Sequence, residues 1–389
     1  MSWDLVVVGA GPAGSATALG ALRAQPGLRV ALLDRADFPR DKACGDGIAP
    51  QAVDLLREAG ATEVVTGHRP VPRLRLSLDG VVADGEMARP TWVVPRAVFD
   101  QRLVTAAQEA GATLLPHRVR SFERSGPDLT VDGRHRARVL VGADGASSVV
   151  RRALGVPRPT MAVALRGYAP TPPGRDGCQQ IVFGTSGRPS YAWAFDRGDG
   201  LANVGYGELL PDRAHRPTRA DLLAGLSRLI PDVVDDGRDW RGARLPLSGW
   251  RWRPAKGPVL LAGDAAALVN PMTGEGIFHA VASGLAAGRA AAEAIAADAP
   301  ETAGERYRAA TRHLLGGNLP HTATAARLCR HDAIITAGLR ASARDRRVFD
   351  DLVELGLARG RITPTVVRGL ARALVGHHVS NHMEGACES

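Results

Sequence analysis

The hydrophobic pattern at the start of the chain predicts a strand, a tight turn, a helix and a second strand. An apolar run at residues 5–8 is followed by the glycine-rich segment 9–14, a helix of small residues over 15–23, and a second apolar run at 28–33 that ends in Asp34. Strand and helix patterns that alternate in this way indicate a parallel sheet covered by helices.

Two later segments repeat the order of strand, glycine and acid. A strand over 137–141 runs into Gly142-Ala143-Asp144-Gly145 and a helix over 147–154, and a strand over 259–262 ends in Gly263-Asp264. The carboxyl ends of parallel strands meet at one sheet edge, where α/β folds bind ligands. Asp144 and Asp264 therefore either accept hydrogen bonds from ligand hydroxyl groups or cap the next helix, and one residue can do both.

The middle of the chain has strand periodicity. Polar and apolar positions alternate over 74–82 and on to Met87, with Asp79-Gly80 as a hairpin turn, and 92–94 is a separate strand. Further predicted strands are 113–115, 118–122, 128–131, 161–167, 179–183, 190–195 and 201–207. Helices are predicted over 50–58, from Pro95 through Ala107, over 219–229, over 276–297, and from 302 to 375 with breaks at 316–317 and near 363–364, whereas 245–258 is irregular.

Together these patterns predict an α/β (α+β) fold. It combines a Rossmann-like nucleotide-binding domain, an inserted antiparallel β-sheet domain that holds the substrate and catalytic residues, and a helical C-terminal part. The predicted boundaries are 1–70, 95–157 and 256–300 for the discontinuous nucleotide-binding domain, 71–94 and 158–255 for the sheet domain, and 301–389 for the helical region.

Composition narrows the class of protein. The 389 residues are 45% hydrophobic and 23% charged, as in a soluble globular protein. The net charge is +9, but only Lys42 and Lys256 among 49 basic residues are lysines, and the arginines are scattered. A solvated surface is the favoured interpretation, with contact to anionic lipid or to a phosphorylated substrate as the alternative. Basic runs interleaved with aromatic residues are absent, so nucleic acid is not an expected partner.

The chain starts directly with a strand, so we expect no signal peptide and a cytoplasmic protein, with peripheral contact at the inner membrane face as a further expectation. The cysteines Cys44, Cys178, Cys329 and Cys387 form no CxxC pair, which argues against a zinc site or a disulfide framework. His378 and His382 are spaced for a metal, but a frayed terminus is the preferred interpretation, and no metal is expected.

The segment Gly9 to Gly14 has the GxGxxG spacing of a dinucleotide site. Gly9 permits the tight turn, Gly11 lets the backbone approach a pyrophosphate, and Gly14 lets helix and strand pack closely. The free N–H groups at the helix start then face the diphosphate. Asp34 follows Gly14 at the spacing from which a carboxylate reaches the ribose hydroxyls.

The three glycine motifs resemble the FAD-binding pattern of the p-hydroxybenzoate hydroxylase-like flavoproteins. The resemblance implies FAD, with the pyrophosphate at the first motif, Asp144-Gly145 near the pyrophosphate, and Gly263-Asp264 at the ribitol. It also implies that Arg96 lies over the diphosphate, that the backbone of Val119 meets the adenine, and that the helix after Gly276 points its N-terminus at the flavin N1–C2=O edge. The FAD-binding residues expected on this basis are Gly9, Gly11, Pro12, Ala13, Gly14, Asp34, Arg35, Lys42, Cys44, Gly45, Arg96, Val119, Asp144, Gly145, Gly263, Asp264, Pro271, Thr273, Gly274, Gly276 and Ile277.

Within that superfamily the chain resembles the geranylgeranyl reductase family over about residues 1–300. Residues 40–47 (RDKACGDG) are similar to its RxKxCGxG loop, 189–195 (PSYAWAF) to its PxxYxWxFP motif, and 263–276 is a similar GD segment. Asp196 stands where the family has the last proline of the aromatic motif, which bears on substrate identity more than on fold.

Four residues are candidates for catalysis. Tyr191, Trp193 and Phe195 alternate with alanines, so their rings point to one face of a strand. By the resemblance they line a slot for a flat or hydrocarbon substrate, and the alternative is an ordinary sheet core. Cys44, in its glycine loop, is predicted to lie beside flavin and substrate and to gate, to position or to donate a proton, with a small buried hydrophobe as the alternative.

The resemblance implies a reductase that passes a hydride from reduced FAD to a carbon–carbon double bond of a prenyl lipid, quinone side chain or related metabolite. The expected electron donor is NADPH or a ferredoxin-like protein. The alternative is an FAD-dependent monooxygenase, a hydroxylase or epoxidase. Residues 250–254 are faintly similar to a flavin-halogenase motif but lack its isoleucine, and a flavin-binding protein without catalysis is a third alternative.

Overall fold

The computed structural model describes residues 1–125, 128–185, 188–210, 215–250 and 256–384. Its strands are β1 (Ser2–Val8), β2 (Val30–Asp34), β3 (Gly47–Ile48), β4 (Pro70–Leu78), β5 (Val81–Val93), β6 (Thr113–Pro116), β7 (Phe122–Ser125), β8 (Asp128–Val131), β9 (His135–Gly142), β10 (Met161–Pro170), β11 (Cys178–Phe183), β12 (Ser190–Asp196), β13 (Leu201–Leu210), β14 (Arg238–Pro246) and β15 (Val259–Leu261). Its α-helices are α1 (Pro12–Ala24), α2 (Pro50–Glu58), α3 (Arg96–Glu109), α4 (Val149–Ala153), α5 (Arg219–Leu229), α6 (Ile277–Ala296), α7 (Ala303–Leu314), α8 (Leu319–Leu328), α9 (Asp332–Arg344), α10 (Arg346–Leu357) and α11 (Pro364–Glu384).

The first sheet carries the glycine motifs. Its order is β6-β2-β1-β9-β8-β7, and β15 also pairs with β9. Strands β6, β2, β1, β9 and β15 are parallel, so the turns after β1, β9 and β15 lie at one sheet edge. Helices α1 and α6 are rich in alanine and glycine. They pack so closely that a Cβ at Gly284 would overlap the carbonyl oxygen of Ala13, and a Cβ at Gly288 that of Thr17.

The second sheet carries the aromatic strand. Its order is β14-β10-β13-β12-β11-β4-β5-β3, and β4 and β11 are its parallel neighbours. Helix α5 covers one face through Leu222 and Leu226. Helices α9 and α10 cover the β4–β5 end, where Phe349 packs on Leu74 and Met87. None of the helices in the described ranges is long and apolar enough to cross a membrane.

The predicted α/β fold with a Rossmann-like sheet is confirmed, whereas the domain boundaries remain a prediction. The hairpin at Asp79-Gly80 forms, with both residues at positive φ (45° and 78°). The helices predicted over 50–58 and 219–229 have the predicted bounds. Residues 251–255, most of the halogenase-like segment, and the side chains of the tail histidines lie outside the described part of the chain.

Several element predictions are wrong in detail. The predicted strand over 92–94 is the end of the long β5, and the strand predicted at 118–122 lies at Phe122–Ser125, where pairing with β8 sets its register. Strand β14 was not predicted, because it is an edge strand next to β10 and is rich in arginine. The C-terminal helices also break at residues 329–331 and at Asp345, in addition to the two predicted breaks.

Candidate active site

The turn between β1 and α1 brings bare backbone to the sheet edge. Gly9 has φ +96°, and a Cβ there would lie 2.5 Å from the carbonyl oxygen of Ala143. A Cβ at Gly14 would overlap the carbonyl oxygen of Gly9. Helix α1 begins at Pro12 with no side-chain cap, so its first-turn N–H groups are available to an anion. This backbone cradle fits a diphosphate group.

Asp34 closes the turn from the end of β2. One carboxylate oxygen accepts a hydrogen bond from the Ala10 N–H at 2.8 Å, and the other accepts one from the Ala36 N–H at 2.9 Å. The side chain is half-buried and lines the cavity. Each carboxylate oxygen keeps a second lone pair, so Asp34 can still accept hydrogen bonds from a ligand. Its contact with a ribose, like those of Arg35 and Val119, which line the same cavity, remains a prediction.

Asp144 has the capping role that the sequence left open. It accepts hydrogen bonds from the Ser148 hydroxyl at 2.5 Å and from the Val149 N–H at 2.6 Å, at the start of α4. It also lines the cavity together with Gly145, which has φ +75°. A cap and a ligand contact are therefore both compatible with its position.

The third motif packs directly on the first. A Cβ at Gly263 would lie 2.8 Å from the Cβ of Ala13, so only glycine lets the turn after β15 approach α1. The Gly263 N–H donates to the Ser283 hydroxyl at 2.9 Å. Asp264 forms an ion pair with Lys42 at 3.2 Å, which connects this motif to the loop after β2.

Two arginines share the buried Asp100. Arg96 donates to both carboxylate oxygens, at 2.7 and 2.8 Å, and Arg40 forms an ion pair with the same group at 2.9 Å. The second terminal nitrogen of Arg40 is the atom nearest to a Cβ built at Gly11, at 3.2 Å. Arg40 therefore lies beside the diphosphate cradle, although sequence reasoning did not select it. The sequence feature that could have indicated this role is the position of Arg40 as the first residue of the RxKxCGxG motif.

The loop after β2 is held by a buried arginine of β10. Arg166 is 1% exposed, stacks on the Tyr168 ring at 4.6 Å, and bonds to Asp41 and to the Lys42 carbonyl. Asp41 also pairs with Arg241 at 2.8 Å. A single arginine inside an otherwise apolar strand was the sequence signal for this contact.

Cys44 lies at the centre of that loop, half-buried and lining the cavity. Burial raises the pKa of its thiol, and the nearby Arg96 guanidinium partly opposes the rise. The thiol therefore stays protonated at neutral pH, and a thiolate formed there would meet a positive charge. Burial also raises the pKa of the neighbouring Tyr191 to about 12.

Asp46, two residues further on, is a functional candidate that sequence reasoning missed. Its side chain is fully buried, and one carboxylate oxygen accepts hydrogen bonds from the Tyr168 hydroxyl at 2.6 Å and the Asn203 amide at 2.8 Å. The other oxygen has no hydrogen-bond partner among the described residues. Burial raises the pKa of the Asp46 carboxyl to about 6, against the opposing effect of these hydrogen bonds and of Arg166.

The aromatic strand β12 has the predicted alternation. Tyr191, Trp193 and Phe195 line the cavity, whereas Ala192 and Ala194 are buried in the core beneath α5. Neighbouring ring centroids are 5.8 and 6.4 Å apart. The face is not simply an open slot, because the loop after β2 packs on it: a Cβ at Gly45 would lie 3.3 Å from Phe195.

The aromatic side chains also have polar partners. The Trp193 indole N–H donates to the Asn203 side-chain oxygen at 2.9 Å, which fixes the orientation of the amide that bonds Asp46. The Tyr191 hydroxyl donates to the Thr273 carbonyl at 2.5 Å. Asp196, where the family motif has proline, accepts hydrogen bonds from Thr171 at 2.9 Å and from the Gly177 N–H at 2.7 Å, so it ties neighbouring turns together.

The turn before α6 closes the site from the opposite side. Gly274 has φ +74°, and a Cβ there would lie 2.9 Å from the Tyr191 hydroxyl. The Glu275 carboxylate accepts a hydrogen bond from the Phe278 N–H at 2.9 Å, so one first-turn donor of α6 is already used. Pro271, Gly276 and Ile277 line the cavity, and their contact with a flavin remains a prediction.

The glycine turn after β1, the turn after β9, the loop that carries Cys44, the aromatic strand and the turn before α6 line one cavity of about 1520 Å³. The Asp46 and Asp100 side chains lie behind this wall and do not line the cavity. Ligand pockets usually hold about 300–1,000 Å³, so this cavity has room for a dinucleotide and a second large ligand. Beyond Cys44 and the aromatic strand its walls are mainly apolar side chains of β4, β5, β11 and the helices α9 to α11. They include Leu76, Met87, Ile181, Phe183, Leu339 and Leu370.

The chain is similar to known flavoproteins. A family model described as FAD binding domain matches residues 2–168. The menaquinone reductase of Mycolicibacterium smegmatis is 37% identical over 324 residues, 75% of each chain. Digeranylgeranylglycerophospholipid reductase 1 of Methanopyrus kandleri is 35% identical over 332 residues, which cover 77% of this chain and 82% of that protein.

Solved structures share the fold. A geranylgeranyl bacteriochlorophyll reductase-like protein from Thermoplasma acidophilum has a TM-score of 0.73 at 21% identity and covers 96% of each chain. A flavin-dependent brominase has a TM-score of 0.73 at 18% identity, covering 98% of this chain and all of its own. These two likenesses concern the fold alone, which reductive and oxygen-using flavoenzymes have in common.

Proposed function

This chain belongs to the geranylgeranyl reductase family of FAD-dependent oxidoreductases, and we propose that it saturates a carbon–carbon double bond in the prenyl chain of a lipid or quinone. The named activities of the two sequence relatives, on menaquinone and on a digeranylgeranyl lipid, support this substrate class.

The single observation that carries the proposal is the apolar extension of the cavity. It runs from Cys44 and the aromatic strand between β4, β5 and β11 on one side and α9 to α11 on the other. A slot for a small aromatic substrate would end near the aromatic strand, whereas a prenyl chain needs a long wall of aliphatic side chains. Leu74, Leu76, Met87, Leu339 and Leu352 supply such a wall.

Bound FAD supplies the hydride. Gly9, Gly11 and Gly14 give the diphosphate its backbone cradle, and Arg40 adds a positive charge beside Gly11. The thiol of Cys44 is the proposed proton donor: its S–H bond breaks as a C–H bond forms on the substrate. The Arg96 guanidinium then stabilises the thiolate. Trp193 and Phe195 position the loop that carries the thiol.

We propose NADPH or a ferredoxin-like protein as the electron donor and a peripheral membrane contact as the route of the substrate. The sequence has one GxGxxG motif, so a nicotinamide cofactor would bind transiently and not in a second Rossmann domain. Leu328 and Val367, 43% and 56% exposed at the cavity wall, lie near Arg327 and Arg368 in sequence and suit an anionic lipid surface.

The test is incubation of the dithionite-reduced, FAD-loaded protein with a panel of prenylated quinones and phospholipids under nitrogen, followed by mass analysis. We expect a product that has gained two hydrogens. The same incubation in air distinguishes the reductase from the monooxygenase alternative, because the product of a monooxygenase would gain oxygen. A product with added oxygen and no saturated product would overturn the proposal.

A further inference from the structure

We propose that the side-chain amide of Gln179 binds a ring carbonyl of a prenylated quinone and holds this head group at the inner end of the apolar wall of the cavity. This inference rests on the proposed function, since it selects the quinone from the substrates considered there. The contact itself can be measured in the oxidised protein without turnover. Because Gln179 fixes the head group, it also determines which double bond of the chain is reduced.

Gln179 is a buried polar residue at the cavity wall. It lies in β11, is 5% exposed, and lines the cavity. Its side-chain amide has no hydrogen bond to any residue in the described part of the chain. Buried amides are nearly always hydrogen-bonded, because leaving their donors and acceptors unpaired is costly. The Gln179 amide is therefore available to a ligand in the cavity.

The position of Gln179 in the sheet places it beside the loop that carries Cys44. It pairs with Phe195 of β12 on one side and with Leu74 of β4 on the other, so the three side chains share the face that lines the cavity. A Cβ built at Gly47 would lie 3.5 Å from the amide nitrogen of Gln179. A ligand group at this amide therefore lies next to the proposed reaction centre.

Gln179 marks the inner end of the apolar wall. Phe183 lies further along β11, at a distance of about 13 Å in an extended strand. It is only half-buried and packs against the cluster that contains Leu339 of α9. A chain that starts at Gln179 and follows the aliphatic wall therefore runs outward past α9, toward the end of α8, where Leu328 is exposed.

The charges of the cavity wall favour a neutral group at Gln179. The two buried arginines that line the cavity, Arg96 and Arg166, form ion pairs with the carboxylates of Asp100 and Asp41. A diphosphate at the inner end would compete with these carboxylates for its counter-charge, which is costly in a buried site. A quinone carbonyl needs only a hydrogen-bond donor, which the amide N–H supplies.

Exposed arginines lie at the other end of the wall. Arg327 and Arg330 line the cavity just before α9. A phospholipid or a prenyl diphosphate would place its head group there, with its chain running inward. The two classes of substrate would therefore bind in opposite orientations, and the unpartnered amide at the inner end favours the quinone.

The experiment titrates the oxidised, FAD-loaded protein with three probes, and the change in flavin absorbance reports binding. The probes are a naphthoquinone that carries four isoprene units, squalene, which has no polar group, and geranylgeranyl diphosphate. Gln179→Leu should bind the quinone about tenfold more weakly, which is the effect of one hydrogen bond, and should bind squalene as wild type does. Gln180→Leu is the matched control, because its side chain points to the opposite face and bonds to Arg175.

Gln179→Glu is the second variant, for the case that the leucine variant fails to fold. It keeps the shape of the side chain but has no N–H to donate when ionised, so it should also lose quinone affinity. Equal quinone affinities of wild type and a folded variant would overturn the proposal. Tighter binding of the diphosphate than of the quinone by wild type would also overturn it.

Anaerobic turnover with the quinone separates this proposal from the proposed function. Wild type should saturate one position of the chain, whereas Gln179→Leu should saturate several. Quinone binding that depends on Gln179, without saturation of any double bond, would contradict only the proposed function. A saturated lipid product, together with unchanged quinone affinity in Gln179→Leu, would contradict only the role of Gln179.

Discussion

The ammonium group of Lys42 lies 3.2 Å from the Asp264 carboxylate, across 222 residues of sequence. The pair joins the loop that carries Cys44 to the turn after β15, at the wall of the predicted FAD site. Replacing Lys42 by Met leaves the Asp264 charge unpaired next to an anionic cofactor. We expect FAD to bind about fivefold more weakly, which corresponds to about 1 kcal/mol, the upper range for a partly exposed pair.

Titration of the FAD-free protein with FAD measures this effect. The control is Lys256→Met, which removes the only other lysine, an exposed one outside the cavity wall. Equal FAD affinity of the two variants would contradict the assigned role of Lys42.

Gly11→Ala tests the diphosphate cradle. The backbone there does not need positive φ, and the new Cβ would meet only the flexible end of Arg40, so folding should be preserved. The methyl group would nevertheless occupy the surface that a diphosphate must approach. We expect FAD affinity to fall at least about tenfold, which is about 1.4 kcal/mol, with little change in thermal stability of the FAD-free protein.

Gly242→Ala, at an exposed position of the edge strand β14, is the matched control, and it should bind FAD as wild type does. A Gly11→Ala protein that bound FAD normally would place the diphosphate elsewhere.

Arg96→Met tests the buried ion pair. Asp100 is fully buried and would keep only Arg40, so we expect a loss of about 3–5 kcal/mol in unfolding free energy. Arg89→Met, which breaks an exposed pair with Asp54, should cost about 1 kcal/mol or less. Urea denaturation measures the unfolding free energy of both variants. Similar losses of unfolding free energy would show that burial of the Arg96–Asp100 pair does not increase its contribution to stability.

The stability of the protein should depend on Asp46. Its folded pKa of about 6 exceeds the ordinary value of 3.8, so the folded state holds the proton more tightly. Below pH 4 both states are protonated and the residue has no effect through ionisation. Between about pH 4 and 6 the unfolded state releases this proton while the folded state keeps it, so the folded state loses stability, and the loss reaches about 3 kcal/mol once pH exceeds 6, at 1.36 kcal/mol for each pKa unit.

Asp46→Asn should therefore gain stability relative to wild type between pH 4 and 7, measured by thermal unfolding across that range. Asp79→Asn is the control, because it has the same left-handed backbone at an exposed turn. A constant difference between wild type and Asp46→Asn across the range would contradict the raised pKa.

The sequence carried enough information for the order of the motifs and for the fold. Gly9 to Gly14, Gly142 to Gly145 and Gly263-Asp264 follow strands, and parallel pairing of β1, β9 and β15 brings them together. The one-face alternation of Tyr191, Trp193 and Phe195 was also predictable, since it needs only the period of a strand. Strand β14 was not predictable, because most of its residues are exposed and its sequence lacks the alternation of apolar and polar residues that indicates a strand.

The Asp46 network could not be predicted from the sequence. Its partners Tyr168 and Asn203 are 122 and 157 residues away, on strands whose pairing fixes their meeting. In the sequence, Asp46 is one of several charged residues in a polar loop. It is buried because that loop packs on β10 and β13, which supply its partners Tyr168 and Asn203. Likewise, the sequence could not establish that Asp144 caps α4, which its bonds to Ser148 and Val149 show, and its contact with a ligand remains a prediction.

The most direct test of the central claim is the anaerobic stoichiometry of flavin reoxidation against a prenylated quinone. We predict that the reduced flavin absorbance returns to the oxidised form under nitrogen, with one double bond saturated for each flavin reoxidised, and that Cys44→Ser slows this reaction. A flavin that stays reduced until air is admitted, with oxygen then found in the product, would contradict the account.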